Sequence, residues 1–208
     1  MKKVFLLISL VVVGSTLVAQ QRIIAECTIS YTITASDSAD LDTKQTLKAS
    51  TKTVYIKGNE SRTNLLSPSF NQSIIYDKIT GEATILREFG SNKFITKLDN
   101  DKWKEENKKF EGLTIEQFDI HKKIAGYDCK KALLHLKDGS IYTLFYTPLI
   151  TPSVKEFEYQ FKNLSGLALE YEAVGVHGDK VTYSATKVNL SPVPTTIFAI
   201  PNSGYRVL

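Results

Sequence analysis

Short runs of alternating apolar and polar residues, separated by glycine turns, constrain the fold of this chain more than any other feature. The clearest run covers residues 25–34, in which Cys27, Ile29, Tyr31 and Ile33 alternate with polar residues. Residues two apart point to the same face of a β-strand, so the run predicts a strand with one buried face. A chain built largely from such runs is expected to fold as an antiparallel sheet.

Further strands are predicted on both sides of the glycine turns. They cover residues 46–57, 73–77, 82–87, 93–98, 114–123, 167–176 and 180–189. The turns contain Gly58, Gly81 and Gly90, because glycine readily adopts the positive φ that tight turns require. Two stretches without the alternation, residues 99–112 and 148–166, predict short helices or loops. The fold class is therefore mostly β, with about ten antiparallel strands and one or two short helical segments.

The hairpin that turns at residues 138–139 has a predicted register. A two-residue type I′ turn there pairs residues whose numbers sum to 277. This register places Phe145 on the face of Ala132, and Tyr142 and Tyr146 on the opposite face. Since both faces carry apolar or aromatic side chains, the hairpin is predicted to be covered on both sides.

Residues 1–19 have the composition of a secretory signal peptide, with two lysines, an apolar run and a cleavage site predicted after Ala19. The apolar run is shorter than the roughly 20 residues that span a bilayer, which favours a cleaved peptide over a membrane anchor. Cys27 directly follows Glu26 and lies beyond the apolar run, so lipid attachment is not expected. We predict a periplasmic or secreted protein without an integral membrane segment, in which residues 20–208 form a single domain.

Charge and motifs argue against several classes of function. Removal of two signal-peptide lysines lowers the net charge from +4 to +2, and nucleic-acid binding needs a concentrated basic face. No nucleophile elbow, glycine-rich phosphate loop or Cys-x-x-Cys motif is present, so neither an enzyme nor a cofactor is predicted. His121, His135 and Asp119 invite a metal site, but His177 falls in a turn and no third ligand has zinc spacing. No metal is predicted.

The two cysteines, Cys27 and Cys129, leave two structural possibilities open. Export places an even number of cysteines in an oxidising compartment, which predicts a disulfide. Such a bridge would close a loop of about 100 residues and stabilise the fold by roughly 4.7 kcal/mol. Two buried free thiols are the alternative, and a redox role is not expected without a second cysteine nearby in sequence.

Six segments carry a family resemblance. They are KGNESRTNL (57–65), IIYDKITGEATIL (74–86), IAGYDCKKA (124–132), LFYT (144–147), NLSGLALEYE (163–172) and IFAIPNSGY (197–205). Together they resemble the GLPGLI and related domain-of-unknown-function families of Bacteroidetes envelope proteins. The segment NLSGLAL stands where one of these families has GLPGLIL, which favours the sister family in which that loop is degenerate.

Those families are similar in architecture to LolA, LolB, LppX and RseB. The resemblance implies a single curved antiparallel sheet that forms a half barrel closed by one or two short helices or loops. It also implies a non-catalytic binding protein that holds a hydrophobic ligand, such as an acyl chain, a lipid or a lipoprotein, in the concave face.

Aromatic side chains of the C-terminal half are the predicted ligand contacts. They are Tyr142, Phe145, Tyr146, Phe157, Phe161 and Tyr171. For each of them, packing in the core is the alternative interpretation. The alternative function is an envelope interaction or structural module, whose core is filled by its own side chains and whose exposed strand edge pairs with a protein partner.

Overall fold

The computed structural model describes residues 21–175, 178 and 180–208. Within them the strands are β1 (Arg22–Ile24), β2 (Glu26–Ala35), β3 (Thr51–Lys57), β4 (Glu60–Leu66), β5 (Asn71–Asp77), β6 (Ala83–Phe89), β7 (Asn92–Leu98), β8 (Thr114–Ile124), β9 (Tyr127–His135), β10 (Ile141–Thr147), β11 (Ile150–Pro152), β12 (Leu167–Val174), β13 (Lys180–Asn189) and β14 (Arg206–Val207). The helices are α1 (Leu41–Lys48) and α2 (Asn100–Glu106), and 3₁₀ turns cover Lys108–Phe110, Lys155–Phe157, Tyr159–Phe161 and Thr195–Phe198. The predicted signal peptide, His177 and Asp179 lie outside the described residues.

Twelve of these strands form one sheet in the order β14-β7-β6-β5-β4-β3-β2-β13-β12-β10-β9-β8. The predicted mostly β class is confirmed: the described residues form one large sheet that is not closed into a barrel, together with two helices. The sheet is mixed rather than wholly antiparallel, because β14 runs parallel to β7. Strands β1 and β11 form a separate parallel pair that the sequence did not predict.

The sheet curves around a single main core. Strands β6 and β9 are eight steps apart in the sheet, which would separate them by roughly 38 Å if the sheet were flat. Yet Ile85 of β6 and Leu134 of β9 belong to the same buried cluster and line the same cleft. Register shifts at residues 118–121, 145–146 and 185–187 add local bends. The curvature therefore places the two halves of the sheet opposite each other.

Helix α1 corrects the prediction of a strand over residues 46–57. The Asp40 side chain accepts a hydrogen bond from the Thr43 N–H at 2.8 Å and so caps the helix. No residue of α1 is buried, so its sequence carries no helical apolar period. The strand begins only at Thr51, after the helix has ended. The predicted helical stretch 99–112, by contrast, contains α2 and a 3₁₀ turn.

The hairpin between β9 and β10 differs by one residue from its predicted register. Leu134 pairs with Tyr142, so paired numbers sum to 276. Gly139 donates its N–H to the Leu136 carbonyl at 3.1 Å and has a φ of 87°. These features define a three-residue loop, in which a type I turn is followed by a glycine bulge. An Asp-Gly pair suits this loop as well as the predicted two-residue turn.

This shift of one residue exchanges the predicted faces of β10. Tyr142 and Tyr146 lie on the core side together with the buried Ala132, whereas Phe145 lies on the opposite side of the sheet. The opposite face of β9 carries Leu133, which is half-buried. A one-residue slip moves every side chain of a strand to the other face, so the error changes which aromatic residues can reach a concave site.

Candidate functional site

A cleft of about 430 Å³ lies between helix α2 and the concave face of the sheet. Residues of β5 and β6 form one wall, residues of β9, β10 and β12 form the opposite wall, and α2 with residues 109–110, 158 and 160 completes the lining. The volume falls within the roughly 300–1,000 Å³ that is typical of small-ligand sites. The curvature of the sheet thus creates an opening that the core side chains do not fill.

The apolar lining of the cleft comes from both walls. Ile74 and Ile85 are register partners on β5 and β6, and Leu134 and Tyr142 are register partners on β9 and β10. Phe110 closes the lining from the 3₁₀ turn after α2. Burying an apolar ligand against such side chains is favourable by about 0.8 kcal/mol for each methylene group that leaves water.

Trp103 is held over the cleft by helix α2. The Asp99 side chain caps this helix by accepting from the Lys102 N–H at 2.9 Å. The indole ring lies 6.0 Å from the ring of Tyr76 and 6.4 Å from that of Tyr159, centroid to centroid. Trp103 is 8% exposed, and its indole N–H has no hydrogen-bond partner among the described residues. An unpaired buried donor costs about 1–3 kcal/mol, and this N–H is fully enclosed, so only the ring of Trp103 contributes to the lining.

Charged and amide side chains make up the rest of the lining. They are Gln72, Arg87, Glu106, Asn107, Lys109, Glu158, Gln160 and Glu172. Two of the carboxylates already have cationic partners, since Glu158 pairs with Lys52 and Glu172 pairs with Lys180. The Glu172 carboxylate also accepts from the Thr143 N–H at 2.8 Å. The cleft therefore combines an apolar lining with polar groups, rather than presenting a purely aromatic wall.

A buried polar cluster supports one end of the cleft. Lys52 pairs with Glu158 and donates to the Tyr171 hydroxyl at 2.7 Å, and its ammonium lies 4.5 Å from the ring centroid of Tyr183. Burial raises the pKa of Tyr171 well above its usual value, and the Glu158 carboxylate raises it further. Tyr171 thus stays a neutral hydroxyl that accepts from Lys52. The cluster fixes Glu158, which is also a lining residue.

The aromatic residues predicted to contact a ligand are not brought together at this cleft. Only Tyr142 lines it. Phe157, Phe161 and Tyr171 are buried in the main core, where the Phe161 ring packs edge-to-face on Tyr171 at 4.9 Å and lies 5.8 Å from Phe157. Whether any of these side chains touches a ligand remains a prediction.

The two remaining aromatic residues occupy different surroundings. Tyr146 is buried and donates its hydroxyl hydrogen to Gln117 at 2.8 Å. Phe145 lies on the other face, under the Lys122 ammonium at 5.3 Å, and lines a smaller hollow of about 120 Å³. The hydroxyl of Tyr146 already has a partner, which suits a structural role.

Cys27 and Cys129 are free, buried thiols in the structure, against the predicted disulfide. Three strands separate β2 from β9, so the cysteines lie roughly 19 Å apart along the sheet. A disulfide needs Cα atoms within about 7 Å. Burial raises the pKa of Cys27 to about 12 and that of Cys129 to about 11. Cys129 belongs to the main buried cluster.

The histidines form surface pairs on β8 and β9. His121 bonds to Asp128 at 2.7 Å and to Asp119 at 3.1 Å, and these hydrogen bonds raise the pKa of His121. His135 bonds to Glu116 at 2.9 Å. In the described part of the chain, no group of three or more His, Cys, Asp or Glu side chains is arranged to hold a metal ion.

Sequence reasoning missed the residues that matter most at the cleft. Trp103 lies in the stretch 99–112, for which only a short helix or loop is predicted, and Arg87 is the last residue of the predicted strand 82–87. Glu158 and Lys52 are 106 positions apart in sequence, so no local pattern could have paired them. The available signal was the tryptophan itself, because a single large aromatic residue in a charged segment is expected to dock on an apolar surface.

Comparisons with known proteins add little to this geometry. No family model matches the chain, and no curated protein matches it. Solved structures that resemble it include PNGF-II, with 13% identity, a TM-score of 0.46 and coverage of 88% of this chain and 30% of that one. Another is MucB in its complex with MucA from Pseudomonas aeruginosa, with 11% identity, a TM-score of 0.42 and coverage of 85% and 56%.

A LolA superfamily protein from Nitrosomonas europaea has 14% identity, a TM-score of 0.28 and coverage of 84% of this chain and 89% of that one. This chain spans less than two thirds of the PNGF-II and MucB chains. All three TM-scores are below 0.5, so these likenesses establish neither the fold nor the function, and the resemblance to the GLPGLI families remains a prediction. Within the described residues, no helix is both long and apolar enough to cross a membrane.

Proposed function

We propose that this chain is an exported, non-catalytic binding protein that holds a small amphiphilic ligand, with one apolar chain, in the cleft beneath α2. The observation that carries the proposal is a cleft of about 430 Å³ into which both walls contribute apolar side chains. The proposal keeps the predicted class of ligand. It moves the site from the cluster of C-terminal aromatic residues to the α2 cleft.

The mixed lining of the cleft supports an amphiphile rather than a plain hydrocarbon. Polar side chains such as Gln72, Arg87 and Gln160 lie beside the apolar residues of the two walls. Burial of about ten methylene groups would contribute about 8 kcal/mol. Association itself costs an estimated 4–15 kcal/mol, so apolar burial needs polar contacts to give tight binding.

The polar groups of the cleft suit binding better than chemistry. Glu158 and Glu172 are engaged by Lys52 and Lys180, so both carboxylates are held by partners. A general acid or base needs a proton that it can exchange with the substrate. These carboxylates instead fix the shape of the site.

Trp103 offers a direct assay, because it is the only tryptophan in the chain and it lines the cleft. Titration of the protein with sodium decanoate is expected to change the tryptophan emission in a saturable, one-to-one manner. Ala173→Phe places a large side chain into the lining and is expected to weaken binding at least tenfold.

Thr186→Phe is the matched control, since Thr186 is exposed on the neighbouring strand β13 and does not line the cleft. This variant is expected to bind like the wild type. Equal binding by all three proteins, or no emission change at any ligand concentration, would contradict the proposal.

A second candidate function rests on a different observation. Strand β8 is the edge of the large sheet, pairs with β9 on one side only, and has Ile120 half exposed. An open edge strand can bind a partner by strand addition. If the cleft takes up no ligand and purified protein retains an envelope protein that protects β8 amides from hydrogen exchange, this interaction module is the better account.

A further inference from the structure

We infer that Arg87 forms an anion-binding subsite at the outer end of the cleft, so that the ligand is a single-chain amphiphile with a carboxylate or phosphate head. This inference rests on the proposed function and adds the head group to it. The juxtaposition that carries it is an incompletely engaged guanidinium directly beside the apolar lining.

The order of residues along β6 gives the cleft a direction. Ile85, Arg87 and Phe89 alternate on one face of the strand, because residues two apart share a face. Ile85 is 5% exposed, Arg87 is half-buried and Phe89 is 47% exposed. Burial therefore falls steadily from the apolar lining, through the guanidinium, to the end of the sheet. A ligand bound along this strand would place its chain at Ile85 and its head at Arg87.

The guanidinium of Arg87 is oriented but not satisfied. Its Nε donates to the Gln72 side-chain oxygen at 3.0 Å, and Gln72 is its register partner on β5. Neither terminal nitrogen has a hydrogen bond or an ion pair with a described residue. The free edge of a guanidinium presents two parallel N–H donors, which match the two oxygens of a carboxylate or phosphate.

The balance of charge in the cleft also favours an anion. Of its five charged lining residues, Glu158 and Glu172 are neutralised by Lys52 and Lys180. Arg87, Lys109 and the exposed Glu106 remain, which leaves a net charge of +1. The Lys109 ammonium lies 4.8 Å from the ring centroid of Phe110.

The test compares ligands that share a chain and differ in the head. Sodium decanoate, decyl phosphate and 1-decanol are titrated into the wild-type protein at pH 7.4, with the Trp103 emission as the readout. The inference predicts that at least one of the two anions binds at least tenfold more tightly than the neutral alcohol. Preference between the two anions identifies which head the subsite takes.

Variants then assign the preference to Arg87. Arg87→Gln is expected to remove the preference for the anion over 1-decanol. Arg87→Lys keeps the charge, loses the paired donors and is expected to keep only part of the preference. Lys97→Gln is the control for net charge, since Lys97 is exposed on β7 and does not line the cleft, and it should keep the full preference.

The outcomes separate this inference from the proposed function. If all three ligands bind wild type with equal affinity, the anion subsite is refuted and the binding function stands. The subsite is equally refuted if Arg87→Gln keeps the full preference while its melting temperature matches that of wild type. If no ligand binds to wild type, both the proposed function and the subsite are overturned. A misfolded Arg87→Gln leaves the head-group comparison in wild type and in Arg87→Lys to decide.

Discussion

Replacement of Lys52 by methionine removes the cation from the most buried ionic group that the structure describes. The Lys52 side chain is 7% exposed, and that of its partner Glu158 is 23% exposed. The substitution keeps an apolar stem of similar length, so it leaves no large cavity. It does leave the Glu158 carboxylate without its ion pair and the buried Tyr171 hydroxyl without its donor.

The expected loss of stability follows from these contacts. Removal of one member of a buried ion pair typically costs about 3–5 kcal/mol, because the other charge stays buried and unpaired. The partial exposure of Glu158 allows water to screen its charge, so we expect the lower end, about 3 kcal/mol. For a chain of this size each kcal/mol lowers the melting temperature by about 2–4 °C, which gives a fall of about 6–12 °C.

A double-mutant cycle measures the interaction itself. Lys52→Met, Glu158→Gln and the double variant are compared with wild type by urea denaturation. Since the double variant no longer buries an unpaired charge, it is expected to be more stable than Lys52→Met by about 1–2 kcal/mol. A loss below 1 kcal/mol for Lys52→Met, or strictly additive effects in the cycle, would refute the assignment of this pair as a buried structural contact.

Three further predictions concern other parts of the fold. Cys27 and Cys129 should not react with a thiol reagent in the native protein, because both thiols are buried and burial raises the pKa of each. Both should react after denaturation without a reductant, and failure of both to react then would indicate a disulfide instead. The pKa of His121 should lie above 6.5 in an NMR titration and should fall in Asp128→Asn. The stabilisation by the charged His121 is present at low pH and is lost as the pH rises through the raised pKa. An unshifted titration would refute the pairing. Gly166→Ala should lower the free energy of unfolding by at least about 2 kcal/mol, because a Cβ at this position would overlap the Thr147 carbonyl oxygen. A urea denaturation curve identical to that of the wild type would contradict this packing.

Local patterns predicted the strands better than they predicted how the strands meet. The alternation from Cys27 to Ile33 identified the buried face of β2, and Gly58 correctly marked the hairpin turn between β3 and β4. Helix α1 was missed because its only clear signal is the Asp40 cap. The register at Gly139 was missed because an Asp-Gly pair fits loops of two or three residues.

The candidate site depended on contacts that no local pattern encodes. The aromatic residues near the C-terminus were visible in the sequence, but their burial is decided by the curvature that brings β6 opposite β9. Arg87 occupies an ordinary position near a strand end, and only the folded sheet shows its free donors beside an apolar lining. Non-local geometry therefore determined the site, whereas composition and periodicity were sufficient for the class of fold.

Native mass spectrometry of the chain, purified from a periplasmic extract without detergent, tests the binding function most directly. The account predicts a one-to-one mass increment that extracts into organic solvent as a single-chain amphiphile and is absent from Ala173→Phe but present in Thr186→Phe. A wild-type protein with only its own mass, which also takes up no decanoate or decyl phosphate when these are added, would contradict the account.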